Sequence, residues 1–214
     1  MMLIKFLLGK KLYRVIKNKI YIFLWYFTKD KLPNLPDNKK NIHLGCGTIN
    51  HPDFINVDLR WYKHIHYHKD ISDLKVFKEN FADLIYVCHC LEHISHTKIN
   101  DTLKEWFRVL KPGGILRISV PDFDKILFIY QNTSNNLDAI LHPLLGAQNF
   151  KYNFHYSAFN KKNLSQYLLK AGFRKVKEWK YGTKSYTSFP DWSGRTINIQ
   201  GIDYPISLNL EGYK

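Results

Sequence analysis

Five short apolar segments of the chain lead into residues that could bind a ligand or move a proton. These residues are Gly45, Asp58, Asp70, His89 and Asp122. Carboxylates accept hydrogen bonds from hydroxyl groups, and histidine exchanges protons near neutral pH. If the segments are parallel strands, their carboxyl ends lie at one edge of a sheet, where ligands of such sheets bind. We therefore expect the five residues to face one site.

The surrounding pattern predicts an α/β fold. Apolar segments of strand length alternate with turns and with helical periodicity, which is typical of a parallel sheet covered by helices. The predicted strands are residues 41–44, 54–58, 64–68, 84–87, 115–120 and 175–180, and the predicted helices are 98–110 and 161–170. A Lys-Pro-Gly-Gly turn at residues 111–114 ends the first of these helices.

A Gly-x-Gly turn at Gly45 and Gly47 follows the first strand, and Asp58 ends the second strand eleven residues later. Glycine permits positive φ and a close approach of the backbone to a ligand. An acid at the tip of the second strand can accept from ribose hydroxyls. The alternative is that Asp58 only caps a helix or turn.

The three cysteines, Cys46, Cys88 and Cys90, do not suggest a disulfide framework, because their number is odd and all lie near predicted strand ends or turns. They favour a reducing, cytoplasmic compartment. Cys88, His89, Cys90 and His93 are metal ligands by type, but they lack the second, distant pair of a usual zinc site. We therefore predict no metal.

The N-terminal arm, residues 1–40, carries ten basic and two acidic residues, which gives +8 of the total net charge of +14. Residues 1–28 mix basic and apolar positions, but the longest apolar run, 20–27, is too short to span a membrane. The pattern fits an amphipathic helix on an anionic membrane surface. A helix packed on its own domain or on a second subunit fits equally well. Residues 29–40 are the predicted linker, and 41–214 the domain.

Three motifs of the predicted domain resemble the Rossmann-like (class I) S-adenosylmethionine-dependent methyltransferases. They are Phe-Ala-Asp-Leu-Ile-Tyr at 81–86, Leu-Glu-His at 91–93 and Glu-Trp-Phe-Arg-Val-Leu-Lys-Pro-Gly-Gly at 105–114. The resemblance implies a mostly parallel seven-stranded sheet with helices on both faces. It also implies S-adenosylmethionine as cofactor and S-adenosylhomocysteine as product.

Other segments resemble a bacterial subgroup of these enzymes that is associated with surface-polysaccharide genes. They are Phe-Ile-Asn-Val-Asp at 54–58, Val-Pro-Asp-Phe at 120–123 and Ser-Leu-Asn-Leu-Glu at 207–211. This resemblance implies a small-molecule acceptor, methylated on a hydroxyl or phosphate-type oxygen of a sugar or glycan precursor. The weakly charged domain gives no reason to expect nucleic acid as a partner.

The family pattern implies cofactor-binding roles for nine positions, which are His43, Gly45, Cys46, Gly47, Asp58, Leu59, Asp70, Ile71 and His89. The glycine turn would face the methionine moiety, Asp58 the ribose, and Asp70 with the Ile71 amide the adenine. The chain departs from the pattern at His43, where an acid is usual, and at Ile49, where a third glycine is usual. The stretch before the second strand is also too short for a full first helix.

Methyl transfer to a hydroxyl needs an in-line geometry and usually a base. The candidates are His89, His93, Asp122 and His155. His89 and Asp122 end neighbouring predicted strands and are expected to share a pocket. His155 lies in the segment after Asp122, where related enzymes place structure that covers the substrate. The aromatic stretch 181–204, with Arg195, suits a sugar carrying an anionic group, or is an ordinary packed loop.

Three other functions remain open from the sequence. A nucleic-acid methyltransferase is favoured by the basic arm, but the chain lacks the Asn/Asp-Pro-Pro-Tyr/Phe motif of enzymes that methylate base amino groups. A nicotinamide-dependent oxidoreductase is disfavoured because no Gly-x-Gly-x-x-Gly turn opens a full helix. A non-catalytic cofactor-binding module is conceivable because the first motif is altered.

Overall fold

The structure, a computed structural model, describes residues 9–33, 39–183 and 187–214. The strands are β1 (Asn41–Leu44), β2 (Ile55–Asp58), β3 (Tyr67–His68), β4 (Ala82–Cys88), β5 (Leu110–Pro121), β6 (Lys175–Glu178), β7 (Thr196–Ile199), β8 (Ile202–Pro205) and β9 (Ser207–Tyr213). The α-helices are α1 (Gly9–Thr28), α2 (Ile99–Val109), α3 (Phe123–Asn132), α4 (Leu141–Leu145) and α5 (Lys161–Ala171). Short 3-10 helices cover Leu91–His93 and His96–Lys98.

Seven strands form one mostly parallel sheet in the order β3-β2-β1-β4-β5-β9-β6. Strands β1 to β5 pair in parallel, whereas β9 runs antiparallel to both β5 and β6. The prediction of a seven-stranded α/β sheet is confirmed. A separate hairpin, β7–β8, occupies part of the stretch 181–204 that the sequence left irregular.

The two faces of the sheet are covered differently. On one face, Ile85 and Val87 pack against Leu103 and Trp106 of α2 and against Leu164 of α5. On the other face, four aromatic side chains gather around β4 in place of a helix, and they are Phe54, Tyr86, Trp179 and Phe189. Residues 45–54 form no helix, as the short spacing predicts, so aromatic rings cover that part of the sheet.

Several predicted boundaries differ from the structure. The third strand is only Tyr67–His68, because the chain turns at Tyr62 and Ile65 before it pairs with β2. The sixth predicted strand ends at Glu178. Helix α3 begins directly after β5, at a place where the sequence pattern did not predict a helix.

Helix α1 is attached to the domain near its carboxyl end. The Trp25 Nε1 group donates to the Ile65 carbonyl at 2.9 Å, and the Trp25 and Trp61 rings meet edge to face at 5.0 Å. Most described side chains of α1 are exposed, with Phe23 at 63% and Phe27 at 70%. Residues 1–8 of the predicted arm and 34–38 of the predicted linker lie outside the described residues. Among the helices that the structure describes, none is long and apolar enough to cross a bilayer.

A buried ion pair joins β5 to β9. Arg117 and Glu211 face each other in the antiparallel register, and the Arg117 Nε group donates to Glu211 Oε1 at 2.8 Å. Both side chains are almost fully buried, and Arg117 also donates to Thr187 Oγ1 and lies over the Trp179 ring. Such a pair is costly to break because the remaining charge stays buried without its partner.

Replacing Arg117 alone is expected to destabilise the domain more than replacing both partners. Arg117→Met leaves the Glu211 carboxylate buried, and the expected loss is about 3–5 kcal/mol in the free energy of unfolding. Arg117→Met combined with Glu211→Leu removes both charges and should recover most of this loss. Urea unfolding of the three proteins measures the difference. A double variant no more stable than Arg117→Met would show that the unpaired Glu211 charge is not the cause of the loss.

Candidate active site

A cavity of about 600 Å³ opens at the carboxyl ends of β1, β2 and β4. This is the edge at which ligands of open parallel sheets bind. Nine of the predicted site residues line it, and they are Gly45, Cys46, Gly47, Asp58, Leu59, Asp70, Ile71, His89 and His93. The structure therefore brings together residues from four separate stretches of the chain.

The glycine turn after β1 is packed so tightly that its first glycine has no room for a side chain. Gly45 has φ of +62°, and a Cβ atom there would lie 2.2 Å from the Cys90 sulfur. The Gly45 amide donates to the Val57 carbonyl at 2.8 Å, which holds the turn against β2. The turn thus presents backbone rather than side chain to the cavity, as a close approach to a ligand requires.

Asp58 fixes the same turn from the second strand. Its Oδ2 atom accepts from the Gly47 amide at 2.8 Å, and its Oδ1 atom accepts from the Arg60 amide at 2.7 Å. The Arg60 Nε group lies 3.3 Å from Oδ1. His64 adds a contact of 2.9 Å between its Nε2 atom and the Gly47 carbonyl. Asp58 is therefore both a turn residue and a carboxylate on the cavity wall.

Asp70 and Ile71 form the far side of the cavity. Asp70 Oδ1 accepts from the Ser72 amide at 2.9 Å and from the Ser72 hydroxyl at 2.7 Å. The Ile71 carbonyl accepts from Trp106 Nε1 at 2.7 Å, which ties this loop to α2. Asp70 thus has the turn geometry of a capping residue and also lines the cavity.

His43 does not line the cavity, in contrast to its predicted cofactor-binding role. Strand alternation directs its ring to the opposite face of the sheet, where it stacks on Phe189 at 4.9 Å and meets Tyr86 edge to face. Only 2% of the residue is exposed. Burial lowers the pKa of His43 to about 3, against a smaller opposing effect of Asp58. A neutral ring in the core is the form that this environment stabilises.

Three histidines surround Glu92 beside the cavity. His89 Nδ1 lies 3.5 Å from Glu92 Oε1, and His155 Nε2 lies 3.9 Å from the same oxygen. The His93 and His155 rings meet at 4.9 Å. Burial lowers the pKa of His89 to about 3 and that of His155 to about 4, and it raises the pKa of Glu92 to about 8. The group is therefore held largely uncharged by desolvation.

Asp122 and His155 do not lie on the cavity wall. Asp122 is the N-cap of α3, and its Oδ1 atom accepts from the Asp124 amide at 3.2 Å while Lys125 lies 3.5 Å from Oδ2. The expectation that Asp122 shares a pocket with His89 is wrong, because the missed helix α3 begins there and turns the carboxylate toward its own first turn. His155 lies behind His93.

Comparison with known proteins agrees with this geometry. Residues 43–118 match a family described as a methyltransferase domain. A ubiquinone/menaquinone biosynthesis C-methyltransferase of Vibrio vulnificus is 33% identical over 76 residues, which are 34% of this chain and 28% of the relative. The match thus spans less than a third of that relative's length.

Solved structures share the fold over most of the chain. A S-adenosylmethionine-dependent methyltransferase of Archaeoglobus fulgidus has a TM-score of 0.52 at 14% identity, with 94% of each chain covered. One of Thermotoga maritima has a TM-score of 0.53 at 18% identity, with 85% of this chain and 84% of that chain covered. The chain has the fold of the class I S-adenosylmethionine-dependent methyltransferases. Both solved structures are named as S-adenosylmethionine-dependent methyltransferases, and S-adenosylmethionine is the cofactor that the sequence predicts.

The comparisons support the sequence-based prediction of a S-adenosylmethionine-dependent methyltransferase, and the structure adds wall residues that the sequence did not reveal. They are Arg60, Cys90, Ile94, Asp191 and the segment 150–153. Arg60 follows Asp58 by only two residues, and this spacing could have indicated that Arg60 also lies on the cavity wall. Cys90 and Ile94 flank the 3-10 helix Leu91–His93 that follows β4, whereas Asp191 and the segment 150–153 reach the cavity through loop paths that no local pattern encodes.

Proposed function

We propose that the chain transfers the methyl group of S-adenosylmethionine to an oxygen of a small acceptor, such as a sugar or phosphorylated glycan precursor. The observation that carries the proposal is the cavity, which eight of the nine predicted cofactor positions line. Residues distant in the sequence converge there at the strand ends that bind ligands in such folds.

In this proposal the cofactor lies across the strand ends. The backbone of Gly45 and Gly47 faces the methionine end, and Asp58 accepts from the ribose hydroxyls. Asp70 and the Ile71 amide face the adenine. The Arg60 side chain is 42% exposed, so it can leave Asp58 free to accept from the ribose when the cofactor binds. His89 stands at the end of β4, beside the methyl group.

The acceptor side is formed by aromatic and cationic groups. Tyr156, Trp192, Lys151 and Arg195 line the same cavity, and Arg195 lies over the Trp192 ring at 5.5 Å. Aromatic faces suit sugar rings, and the two cations suit an anionic group such as a phosphate. Of the four predicted base candidates, His89 and His93 line the cavity, so the acceptor is placed on their side of it.

Helix α1 suggests where the protein works. Its exposed apolar side chains include Ile20, Phe23 and Phe27, and Lys17 and Lys19 lie on the same helix. A helix with exposed aromatic and basic residues binds the interface of an anionic membrane. We propose a cytoplasmic enzyme that contacts the inner membrane face through α1. At that surface the enzyme would encounter precursors of surface polysaccharides as acceptors.

The cofactor assignment predicts a defined binding profile. Calorimetry should show binding of S-adenosylmethionine and S-adenosylhomocysteine but not of NAD. Asp58→Asn should weaken binding by about tenfold or more, because a hydrogen bond to a charged group contributes roughly 1.5–3 kcal/mol. Asp70→Asn is a second test, and the exposed Asp138→Asn is the control. Thermal melting of each variant separates lost binding from lost structure, and preference for NAD would overturn the assignment.

The acceptor proposal predicts a charge preference. With radiolabelled S-adenosylmethionine, sugar phosphates and sugar nucleotides should accept methyl groups, whereas unphosphorylated sugars and quinone precursors should not. Arg195→Met should raise KM for the phosphorylated acceptor by about tenfold and change kcat less, because the charge contributes to binding rather than to the reaction. Lys104→Met, at a residue that does not line the cavity, is the control. Methyl transfer to carbon of a quinone precursor instead would reject the glycan acceptor.

The membrane proposal predicts that sedimentation with anionic phosphatidylglycerol vesicles depends on the exposed rings of α1. Phe23→Glu with Phe27→Glu should reduce binding more than about tenfold, since a buried phenylalanine contributes roughly 1.5–3 kcal/mol. Leu137→Glu, which alters an exposed apolar residue of the domain, should bind like the parent. If the Phe23→Glu/Phe27→Glu variant bound vesicles as well as the Leu137→Glu variant, membrane binding through α1 would be ruled out. A lower oligomeric mass of the Phe23→Glu/Phe27→Glu variant than of the parent would instead indicate that α1 packs on a second copy of the chain.

A further inference from the structure

The cluster beside the cavity contains a buried carboxylate without a hydrogen-bond donor. Glu92 is 1% exposed, and within the described part of the chain neither of its carboxylate oxygens has a hydrogen-bond partner. Ligand atoms of Glu92, His93 and His155 all lie within 4.8 Å of one another. Buried carboxylates are almost always paired or bound to a metal, because an isolated one loses its hydration without compensation.

The hydrogen bonds of the surrounding histidines fix where their lone pairs point. His93 Nδ1 lies 2.9 Å from the Phe154 carbonyl, which can only accept, so Nδ1 carries the proton and the lone pair is on Nε2. A backbone carbonyl on one ring nitrogen and a metal on the other is the usual arrangement of a metal-binding histidine.

The hydrogen bonds of His89 also direct a lone pair of its ring toward the cluster. Its Nε2 atom lies 2.8 Å from the Ser207 hydroxyl, whose own proton goes to the Trp192 carbonyl, so Nε2 donates. The lone pair is therefore on Nδ1, 3.5 Å from Glu92 Oε1. The Nδ1 lone pair of His89 and the Glu92 carboxylate, both hydrogen-bond acceptors, therefore face each other. Only a proton or a cation within this cluster can offset their repulsion.

The backbone holds the cluster in place. The Glu92 carbonyl accepts from the Tyr156 amide at 2.8 Å and from the Ser157 amide at 3.2 Å. These bonds join the 3-10 helix Leu91–His93 to the segment that carries His155. The carboxylate and the two imidazoles are therefore positioned by two separate parts of the chain, which is how a preformed ligand set is built.

We propose that Glu92, His93 and His155 form a binding site for a divalent transition-metal ion of the Zn²⁺ type. Two histidines and one glutamate are a common zinc ligand set, with open coordination positions left for water or substrate. Zn²⁺ holds these ligands at roughly 2.0–2.2 Å, so the three groups need to close in by only about an ångström. Imidazole ligands favour Zn²⁺ over Mg²⁺, which prefers oxygen.

This ligand set shares only His93 with the group Cys88, His89, Cys90 and His93, which are metal ligands by residue type in the sequence. The Cys90 sulfur lies 3.6 Å from the Gly45 carbonyl and packs beneath the glycine turn, which it supports. His155 is 62 positions away from His93 in the chain, and only the fold brings the two rings together. His93 lines the cavity, so an ion on its free nitrogen would border the bound acceptor.

Metal binding can be measured without cofactor or acceptor, so the test does not depend on the proposed methyl transfer. Untagged full-length protein is freed of metal and titrated with Zn²⁺ in competition with a chromophoric chelator. Co²⁺ serves as a spectroscopic probe of the coordination. We expect one Zn²⁺ per chain and visible Co²⁺ absorption bands. Mg²⁺ at the same concentration should not compete.

Three variants make the assignment specific. Glu92→Gln and His155→Asn should each weaken Zn²⁺ binding by more than about tenfold, since even loss of an outer-shell partner costs about 10–100-fold. His96→Asn, an exposed histidine outside the cluster, should bind like the parent. Glu92→Gln keeps the side-chain volume, and its thermal melting shows whether it folds. Absence of stoichiometric binding, or equal affinity in the parent and both cluster variants, would overturn the proposal whether or not S-adenosylmethionine binds.

Discussion

The Asp58 carboxylate is the contact on which the cofactor side of the cavity depends, because it joins the ends of β1 and β2. One oxygen accepts from the Gly47 amide and the other from the Arg60 amide. The Gly45 amide adds a bond to β2, and Cys90 fills the space beneath the turn. A short turn with so few internal bonds needs such external acceptors, since a buried amide without a partner is costly. The residue proposed to hold the ribose is thus also the one that shapes the loop for the methionine end.

A short connection between β1 and β2 accounts for the unusual second face of the sheet. Residues 45–54 form no helix, so nothing helical shields Tyr86 and Phe54 there. Phe189 and Trp179 cover them from the segment after β6. Aromatic rings bury large areas with few degrees of freedom, which suits a face that must be closed by loops. His43 takes part in this packing as a neutral ring, which explains why a histidine can occupy a position where the family usually has an acid.

The sequence predicted the sheet well because its strands are short apolar runs bounded by turns, a local signal. Eight of the nine positions that the family resemblance assigns to the cofactor line one cavity, because residues at the ends of parallel strands converge. Asp122 failed because a helix begins directly at the strand end, and sequence periodicity did not separate α3 from the loop after it. His43 failed because the side toward which a strand residue points depends on register, which the glycine motif alone does not fix. The wall formed by the segment 150–153 depends on a loop path and lies beyond any local pattern.

The segment that ends at Ser157 connects the two halves of the site. Residues 150–153 and Tyr156 line the cavity, whereas His155 between them turns inward to Glu92. The amides of Tyr156 and Ser157 donate to the Glu92 carbonyl, so the segment cannot move without disturbing the Leu91–His93 helix. This short stretch of backbone therefore joins the cavity wall at Tyr156 to the buried cluster of Glu92 and His155.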